Sequence, residues 1–190
     1  HKEYRRQRQM CIRDRRSKFA AQQLVFAHAA VTDLEGRALR HDQRIARAGL
    51  GGASASETDT ALRLRDWSLL RGEDGYTARI PASGFTLELR FAPTQPVLLQ
   101  GRAGLSRKGP DEAQASYYYS EPQLAAQGRI VLDGRPFAVR GRAWLDHEWS
   151  EALLHPEAVG WDWIGMNLDD GGALTAFHLR RADGLSLIHI

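Results

Sequence analysis

The segment Leu24-Val25-Phe26-Ala27-His28-Ala29-Ala30-Val31 is an apolar run of strand length that leads into a turn. The turn signal is Asp33-Leu34-Glu35-Gly36, and Ala38–Ile45 follows as a return strand. Short apolar alternation broken by turn residues recurs from residue 23 onward. The segment is therefore predicted to be a β-hairpin, and the chain after it is predicted to be a run of similar hairpins.

The remaining sequence extends this pattern. We predict one strand over Ala61–Leu70, with Leu62, Leu64 and Asp66 on one face. Two segments are predicted to be loops: an exposed loop at Gly49–Asp59 and a polar loop at Arg102–Ala113. Turn signals between β-prone segments are Asp74-Gly75, Ser83-Gly84, Asp133-Gly134 and Asp169-Asp170-Gly171-Gly172. About nine or ten strands without intervening helices indicate an all-β protein, an antiparallel barrel or sandwich.

Charge and composition exclude several classes of protein. The 190 residues are 43% hydrophobic and 26% charged, as in an ordinary globular domain. The net charge of +3 comes from residues 1–16, which carry a net charge of +5, so the rest is slightly acidic and predicts no nucleic-acid partner. The single cysteine, Cys11, excludes an intramolecular disulfide. No apolar run reaches the length of a membrane span, and the N-terminus lacks the apolar core of a signal peptide.

The densest chemistry lies in Trp144-Leu145-Asp146-His147-Glu148-Trp149, followed by Gly160-Trp161-Asp162-Trp163. In a strand, Trp144, Asp146 and Glu148 share one face. On a cavity wall an acid there would be partly desolvated, which favours its protonated form and proton donation. Indole faces stabilise a developing cation. The combination indicates acid-initiated chemistry on an apolar substrate.

Other interpretations of these residues stay open. Tryptophans of β-proteins are usually core, and an acid beside them usually binds backbone amides or an arginine. His147-Glu148 resembles the start of a zinc-protease motif, but Glu151 stands where the second histidine is required, so we expect no metal site. No nucleophile elbow, Walker motif or dinucleotide glycine motif occurs. The tyrosines of Tyr117-Tyr118-Tyr119 fit either a ligand contact or an aromatic edge over the barrel mouth.

Several segments resemble the carotenoid 1,2-hydratase (hydroxyneurosporene synthase) and AttH-like family. They run in order from about residue 23 to residue 184, and the most similar is Gly141–Ser150. The others are Phe26–Asp33, Leu99–Gly101, Ser106–Gly109, Tyr117–Ser120, Gly160–Trp163 and Leu168–Gly171. The resemblance implies lipocalin-like β-structure in two domains of a longer chain. Residues 23–184 would be most of the first domain, incomplete at its opening strand, between non-family tails at 1–22 and 185–190.

The resemblance also implies a reaction and a site. In the hydratases an Asp protonates a terminal double bond of an acyclic carotenoid, aromatic residues support the carbocation, and water attacks it without an organic cofactor. The matching catalytic residues are Asp146 and Trp144. Residues expected to bind the substrate are Tyr117, Tyr119, Glu148, Trp161 and Trp163. The hydratases carry a His-x-Trp pair where this chain has three tyrosines, a feature that resembles the AttH branch.

Two functions follow as hypotheses. The first is a hydratase that adds water to an apolar isoprenoid, and the alternative is a lipocalin-like protein that binds a hydrophobic ligand without transforming it. The expected partners are a small apolar ligand, a membrane surface and a second lipocalin-like domain. The family suggests an exported or cell-envelope protein. An isolated chain that lacks the flanking family segments is expected to be marginally stable, because a missing strand leaves open sheet edges.

Overall fold

The structure is a computed structural model that describes residues 23–49, 51–151, 155–184 and 186–189. The predicted basic tail, residues 1–22, lies outside the described residues, as do residues 185 and 190 of the predicted C-terminal tail. Every regular element in the described part of the chain is a β-strand, which confirms the all-β class.

The described residues form fourteen strands. They are β1 (Leu24–Asp33), β2 (Ala38–Arg47), β3 (Ala53–Ala55), β4 (Ala61–Leu64), β5 (Trp67–Gly72), β6 (Gly75–Ala82), β7 (Phe85–Ala92), β8 (Leu98–Leu99), β9 (Leu105–Arg107), β10 (Ala115–Leu132), β11 (Arg135–Trp149), β12 (Ala158–Asn167), β13 (Ala173–Arg181) and β14 (Ser186–His189). Strands β10 and β11, of 18 and 15 residues, are long enough to carry many side chains on each face.

The strands make three sheets. β1 and β2 form a two-stranded sheet, and β12, β13 and β14 form a three-stranded sheet in that order. The nine-stranded sheet has the order β11-β10-β7-β6-β5-β4-β3, with β8 and β9 also paired to β10. Among the described residues none of the three sheets closes on itself. Most neighbours in the order are also neighbours in sequence, as expected for a succession of hairpins.

The predicted first hairpin is confirmed. β1 pairs antiparallel with β2 in a register that places Leu24 opposite Arg47 and Asp33 opposite Ala38. The turn is closed locally, because Gly36 N donates to Asp33 Oδ1 at 2.8 Å. The acidic residue that signals the turn in the sequence therefore also satisfies one of its backbone donors.

The other predicted turns fall at junctions of successive strands. Gly75, the first residue of β6, has φ of 119°, and a Cβ there would lie 2.1 Å from Phe91 O. Both the backbone angle and the close approach require glycine at this position. The turn at residues 169–172 joins β12 to β13 as predicted.

The prediction of one strand over Ala61–Leu70 is wrong. Arg65 takes a positive φ of 57° and reverses the chain, so β4 and β5 form a tight hairpin in which Leu64 pairs with Trp67. Leu64 is buried, whereas Asp66 lies in the turn, so the two do not share a strand face. The apolar alternation of residues 61–70 is not interrupted at this turn, so the sequence pattern does not show that the chain reverses there.

The two predicted loops also contain strands. Gly49–Asp59 includes β3, which pairs with β4 and buries Ala53. Arg102–Ala113 includes β9, which pairs with β10, and this segment buries Ser106 and Lys108 at 1% and 7% exposure. Strands of two to four residues are too short to show a period, which is why the predicted number of strands was too low.

The chain divides into two compact units. Unit 1 holds the described part of His1–Arg71 with Thr77–Glu88 and Ile130–Pro136, and unit 2 holds Gly72–Tyr76, Leu89–Arg129 and the described part of Phe137–Ile190. Unit 1 is built around Trp67, which is 3% exposed and packs in one cluster with Ala29 and Phe85. Its Nε1 donates to Pro81 O at 2.9 Å, so the buried indole is satisfied.

In unit 2, Gln123 of β10 makes hydrogen bonds to several other elements. This residue is 3% exposed and has φ of 57°. Its backbone N–H donates to Asn167 Oδ1 at 2.7 Å, and its Nε2 donates to the carbonyls of Leu168 and Gly172 at 2.8 and 2.6 Å. Its Oε1 accepts a hydrogen bond from Arg142 of β11. One buried amide therefore links β10, β11 and the β12–β13 turn.

Candidate functional site

The candidate site lies in unit 2, on one face of β10 and β11. The predicted alternation along β11 is observed, because Asp146 and Glu148 both contact even-numbered residues of β10, namely Ser120 and Ser116. The odd-numbered His147 and Trp149 meet Tyr119 and Tyr117 instead. Two antiparallel strands with a period of two thus sort their side chains into an acid face and an aromatic face.

Two neutral donors converge on Asp146. Ser120 Oγ donates to Asp146 Oδ1 at 2.6 Å, and Trp144 Nε1 donates to the same oxygen at 2.9 Å. Neither of these bonds uses Oδ2. Asp146 is exposed in the chain, so the desolvation that the sequence led us to expect is not present. Ser120 and Trp144 therefore orient the carboxyl through one of its two oxygens.

Ser120 is itself positioned by a buried amide. Gln100 Nε2 donates to Ser120 Oγ at 2.9 Å, and Ser120 is 0% exposed while Gln100 is 6% exposed. Because the Ser120 oxygen accepts from Gln100, its own proton is directed to Asp146. The chain from Gln100 through Ser120 therefore fixes the rotamer of the Asp146 carboxyl.

Glu148 has a different set of partners. Ser116 Oγ donates to Glu148 Oε1 at 2.5 Å, and the Lys108 ammonium lies 2.8 Å from the same oxygen. Lys108 is almost completely buried, and its Nζ lies over the rings of Phe177 and Tyr118, 4.2 and 5.1 Å from their centroids. A buried cation is tolerated here because a carboxylate and two aromatic faces surround it.

Tyr118 lies close to both Asp146 and Lys108. Its hydroxyl accepts a hydrogen bond from Trp163 Nε1 at 3.1 Å. Burial of the side chain, followed by the nearby Asp146 carboxylate, raises the pKa of Tyr118 to about 12. The hydroxyl therefore keeps its proton at every physiological pH and acts only as a neutral hydrogen-bonding group beside Asp146.

The tryptophans predicted to be core or substrate-binding residues are largely at the surface. Trp144 is half-buried and meets Trp163 edge to face, with ring centroids 6.1 Å apart. Trp149, Trp161 and Trp163 are 50%, 57% and 40% exposed, so the interpretation of these three as core is wrong. Trp163 lies next to the acid face, and Trp161 is two residues away on the same strand.

Tyr117 and Tyr119 lie elsewhere. Tyr117 stacks on Trp149 with centroids 5.5 Å apart, and the Tyr119 hydroxyl lies 3.0 Å from His147 Nδ1. Both belong to the aromatic face of β10 and β11. The structure therefore brings Trp144, Glu148 and Trp163 together with Asp146, and it places Tyr117 and Tyr119 on the opposite face.

Sequence reasoning missed five neighbours of the two carboxylates. They are Gln100, Lys108, Ser116, Tyr118 and Ser120. Three of them could have been found from the strand period of two. Alternation along residues 116–120 places Ser116, Tyr118 and Ser120 on one face and the other two tyrosines on the opposite face. Gln100 and Lys108 lie beside strands too short to be recognised from the sequence.

Two further properties bear on the class of site. Among residues 23–49, 51–151 and 155–184, no three His, Cys, Asp or Glu side chains come together as metal ligands. No helix long and apolar enough to cross a membrane occurs in the described part of the chain.

The fold and site define an all-β, lipocalin-like protein with an acid and an exposed indole cluster on one sheet face. The chain belongs to the AttH-like family, whose model matches residues 2–189. No protein of curated function matches it significantly. A crystal structure assigned to AttH from Nitrosomonas europaea is 50% identical, with a TM-score of 0.85 over 91% of this chain and 54% of the other.

A second solved structure extends the likeness of fold. Kievitone hydratase from Nectria haematococca is 14% identical, with a TM-score of 0.60 over 85% of this chain and 54% of that chain. At this identity the match shows the fold alone. The present chain spans about half the length of both solved relatives.

Proposed function

We propose that the protein adds water across a terminal carbon–carbon double bond of an apolar isoprenoid, as a carotenoid 1,2-hydratase does, with Asp146 as the acid. The observation that carries the proposal is the convergence of Ser120 and Trp144 on one oxygen of an exposed aspartate, beside a pair of indoles. This arrangement orients a carboxyl beside apolar surface, and no ion pair to Asp146 occurs among the residues that the structure describes.

The ligand supplies the desolvation that the free chain lacks. A polyene lying over Trp144 and Trp163 displaces water from the neighbouring Asp146, and a desolvated carboxyl favours its protonated form. Both indoles have exposed surface, so the apolar area needed to hold such a ligand is available. Substrate binding and activation of the acid are thereby coupled.

The reaction balances without a cofactor. The electron pair of the double bond takes the proton of Asp146, forming a C–H bond and a tertiary carbocation next to the aspartate carboxylate. The faces of Trp144 and Trp163 stabilise this cation. A water oxygen then forms the C–O bond and releases one proton, so the net change is addition of one water molecule.

A binding protein without turnover is the second candidate. Its support is the aromatic face, where the exposed rings of Tyr117 and Trp149 stack with an interplanar angle of 24° and present an apolar surface away from the acid. A ligand held there would lie out of reach of Asp146.

The test is water addition by the unaltered protein. Incubation with lycopene, an acyclic polyene, in oxygen-18-labelled water should give a tertiary alcohol that carries one labelled oxygen, detected by mass spectrometry. Denatured protein is the control. Quenching of tryptophan emission by lycopene without any labelled product would favour the binding candidate and contradict the proposal.

A further inference from the structure

The two carboxylates on the acid face have unequal surroundings. Asp146 accepts hydrogen bonds from the neutral donors Ser120 and Trp144, whereas Glu148 forms an ion pair with Lys108 and accepts a hydrogen bond from Ser116. Paired carboxyl groups whose environments differ in this way are suited to opposite roles in proton transfer. The group beside a fixed cation is the one suited to accept a proton from water.

The spacing leaves room for the reactants. Asp146 and Glu148 are two residues apart on one strand face, which corresponds to about 7 Å along β11. Glycosidases that direct a water molecule between two carboxyl groups hold them at a similar separation, roughly 6.5–9.5 Å. A double bond above Asp146 would therefore have space for one water molecule on the side of Glu148.

We propose that Glu148 is the base that takes the proton from the attacking water, and that Lys108 and Ser116 are its positioning residues. This assignment rests on the proposed hydration and adds a second catalytic group to it. Ser116 and Lys108 both occupy Oε1, so neither uses Oε2. The 39% exposure of the Glu148 side chain gives water access to that oxygen.

The proton balance closes with this second group. Asp146 gives its proton to the alkene carbon, and water bonds to the carbocation while its proton passes to Glu148 Oε2. The cycle ends with a neutral Glu148 and an ionised Asp146. Both carboxyl groups are exposed, so exchange with solvent returns the proton to Asp146 when the product leaves.

Lys108 distinguishes a catalytic role of Glu148 from a merely structural ion pair. Its ammonium is caged by Tyr118 and Phe177 and has Glu148 as its ion-pair partner. Removal of the ammonium takes away the group that holds Oε1 of the base, so the attack of water should slow more than the protonation of the alkene.

The experiment separates protonation from water addition. Lycopene is incubated in heavy water, and two quantities are measured: the rate of alcohol formation and the deuterium that enters recovered lycopene when the cation reverts to alkene. Glu148→Gln should lower alcohol formation by about 10²-fold, while deuterium entry changes by less than ~3-fold. The exposed Glu151→Gln is the matched control and should change neither.

Lys108 is tested by its charge. Lys108→Met should lower alcohol formation by about 10-fold while deuterium entry changes by less than ~3-fold, and Lys108→Arg should restore alcohol formation because it keeps the cation. Circular dichroism establishes that each variant is folded. Unchanged alcohol formation in folded Lys108→Met would overturn the role of Lys108.

The remaining outcomes distinguish this inference from the proposed function. A Glu148→Gln variant with both rates at the level of the unaltered protein would overturn the role of Glu148 and leave Asp146 as the acid. Loss of both rates together in a folded variant would also overturn it. An unaltered protein that neither forms alcohol nor incorporates deuterium would overturn the proposed function, and the base assignment with it.

Discussion

Replacement of Asp146 by asparagine should lower the rate of water addition by about 10³-fold, because the variant has no proton to transfer to the alkene. Asparagine keeps an oxygen in the position of Oδ1, so the hydrogen bonds from Ser120 and Trp144 persist. The affinity for the polyene should change by less than ~3-fold, since the indoles are untouched. Product formation and quenching of tryptophan emission measure the two quantities.

A matched control is available on β12. The Asp162 carboxylate lies 3.2 Å from His178 Nδ1 and 3.0 Å from Arg180 Nε, and it has no contact with Asp146 in the described part of the chain. Asp162→Asn should therefore keep the full rate of water addition. Equal rates for Asp146→Asn and the unaltered protein would remove Asp146 from the reaction. Parallel loss of rate and affinity would show that Asp146 binds the ligand and does not act as its acid.

The second large effect is on stability. Gln123→Ala should lower the free energy of unfolding by about 3 kcal/mol, because it removes a buried amide and its three part-buried hydrogen bonds with the carbonyls of Leu168 and Gly172 and the guanidinium of Arg142. Alanine at position 123 would keep the positive φ, so the backbone strain of Gln123 is not relieved by the substitution. Urea unfolding monitored by circular dichroism gives the difference.

Gln127→Ala is the control for this change. Gln127 lies on the same strand but is exposed, and its substitution should alter stability by less than ~0.5 kcal/mol. If both variants unfold at the same urea concentration, the buried amide does not hold the β12–β13 turn on β10. The position of Trp163 beside Tyr118 would then need another cause.

Local chemistry made much of this structure predictable. The turn pairs Ser83-Gly84 and Asp133-Gly134 marked hairpins because few residues adopt the angles that such turns require. The strand period of two placed Trp144, Asp146 and Glu148 on one face without knowledge of any partner strand. These inferences depend only on neighbours in sequence.

The parts that sequence reasoning missed depend on distant neighbours. Alternation separates Tyr118 from Tyr117 and Tyr119, but only the pairing of β10 with β11 shows which set faces Asp146. Lys108 lies in a polar, glycine- and proline-containing segment, and its burial follows from the pairing of β9 with β10. Gln123 has a positive φ that interrupts the regular pleat of β10. A glutamine is not a typical turn residue, so the sequence gives no sign of this irregularity.

The role of Asp146 as the acid can be tested most directly by a crystal structure of Asp146→Asn with lycopene bound, in which the reaction is stopped but the ligand is retained. We predict that a terminal double bond lies within about 4 Å of the residue 146 side chain, close to the distance of reacting groups, and over the indoles of Trp144 and Trp163. A polyene lying instead along Tyr117 and Trp149, on the opposite face of β10 and β11, would contradict it.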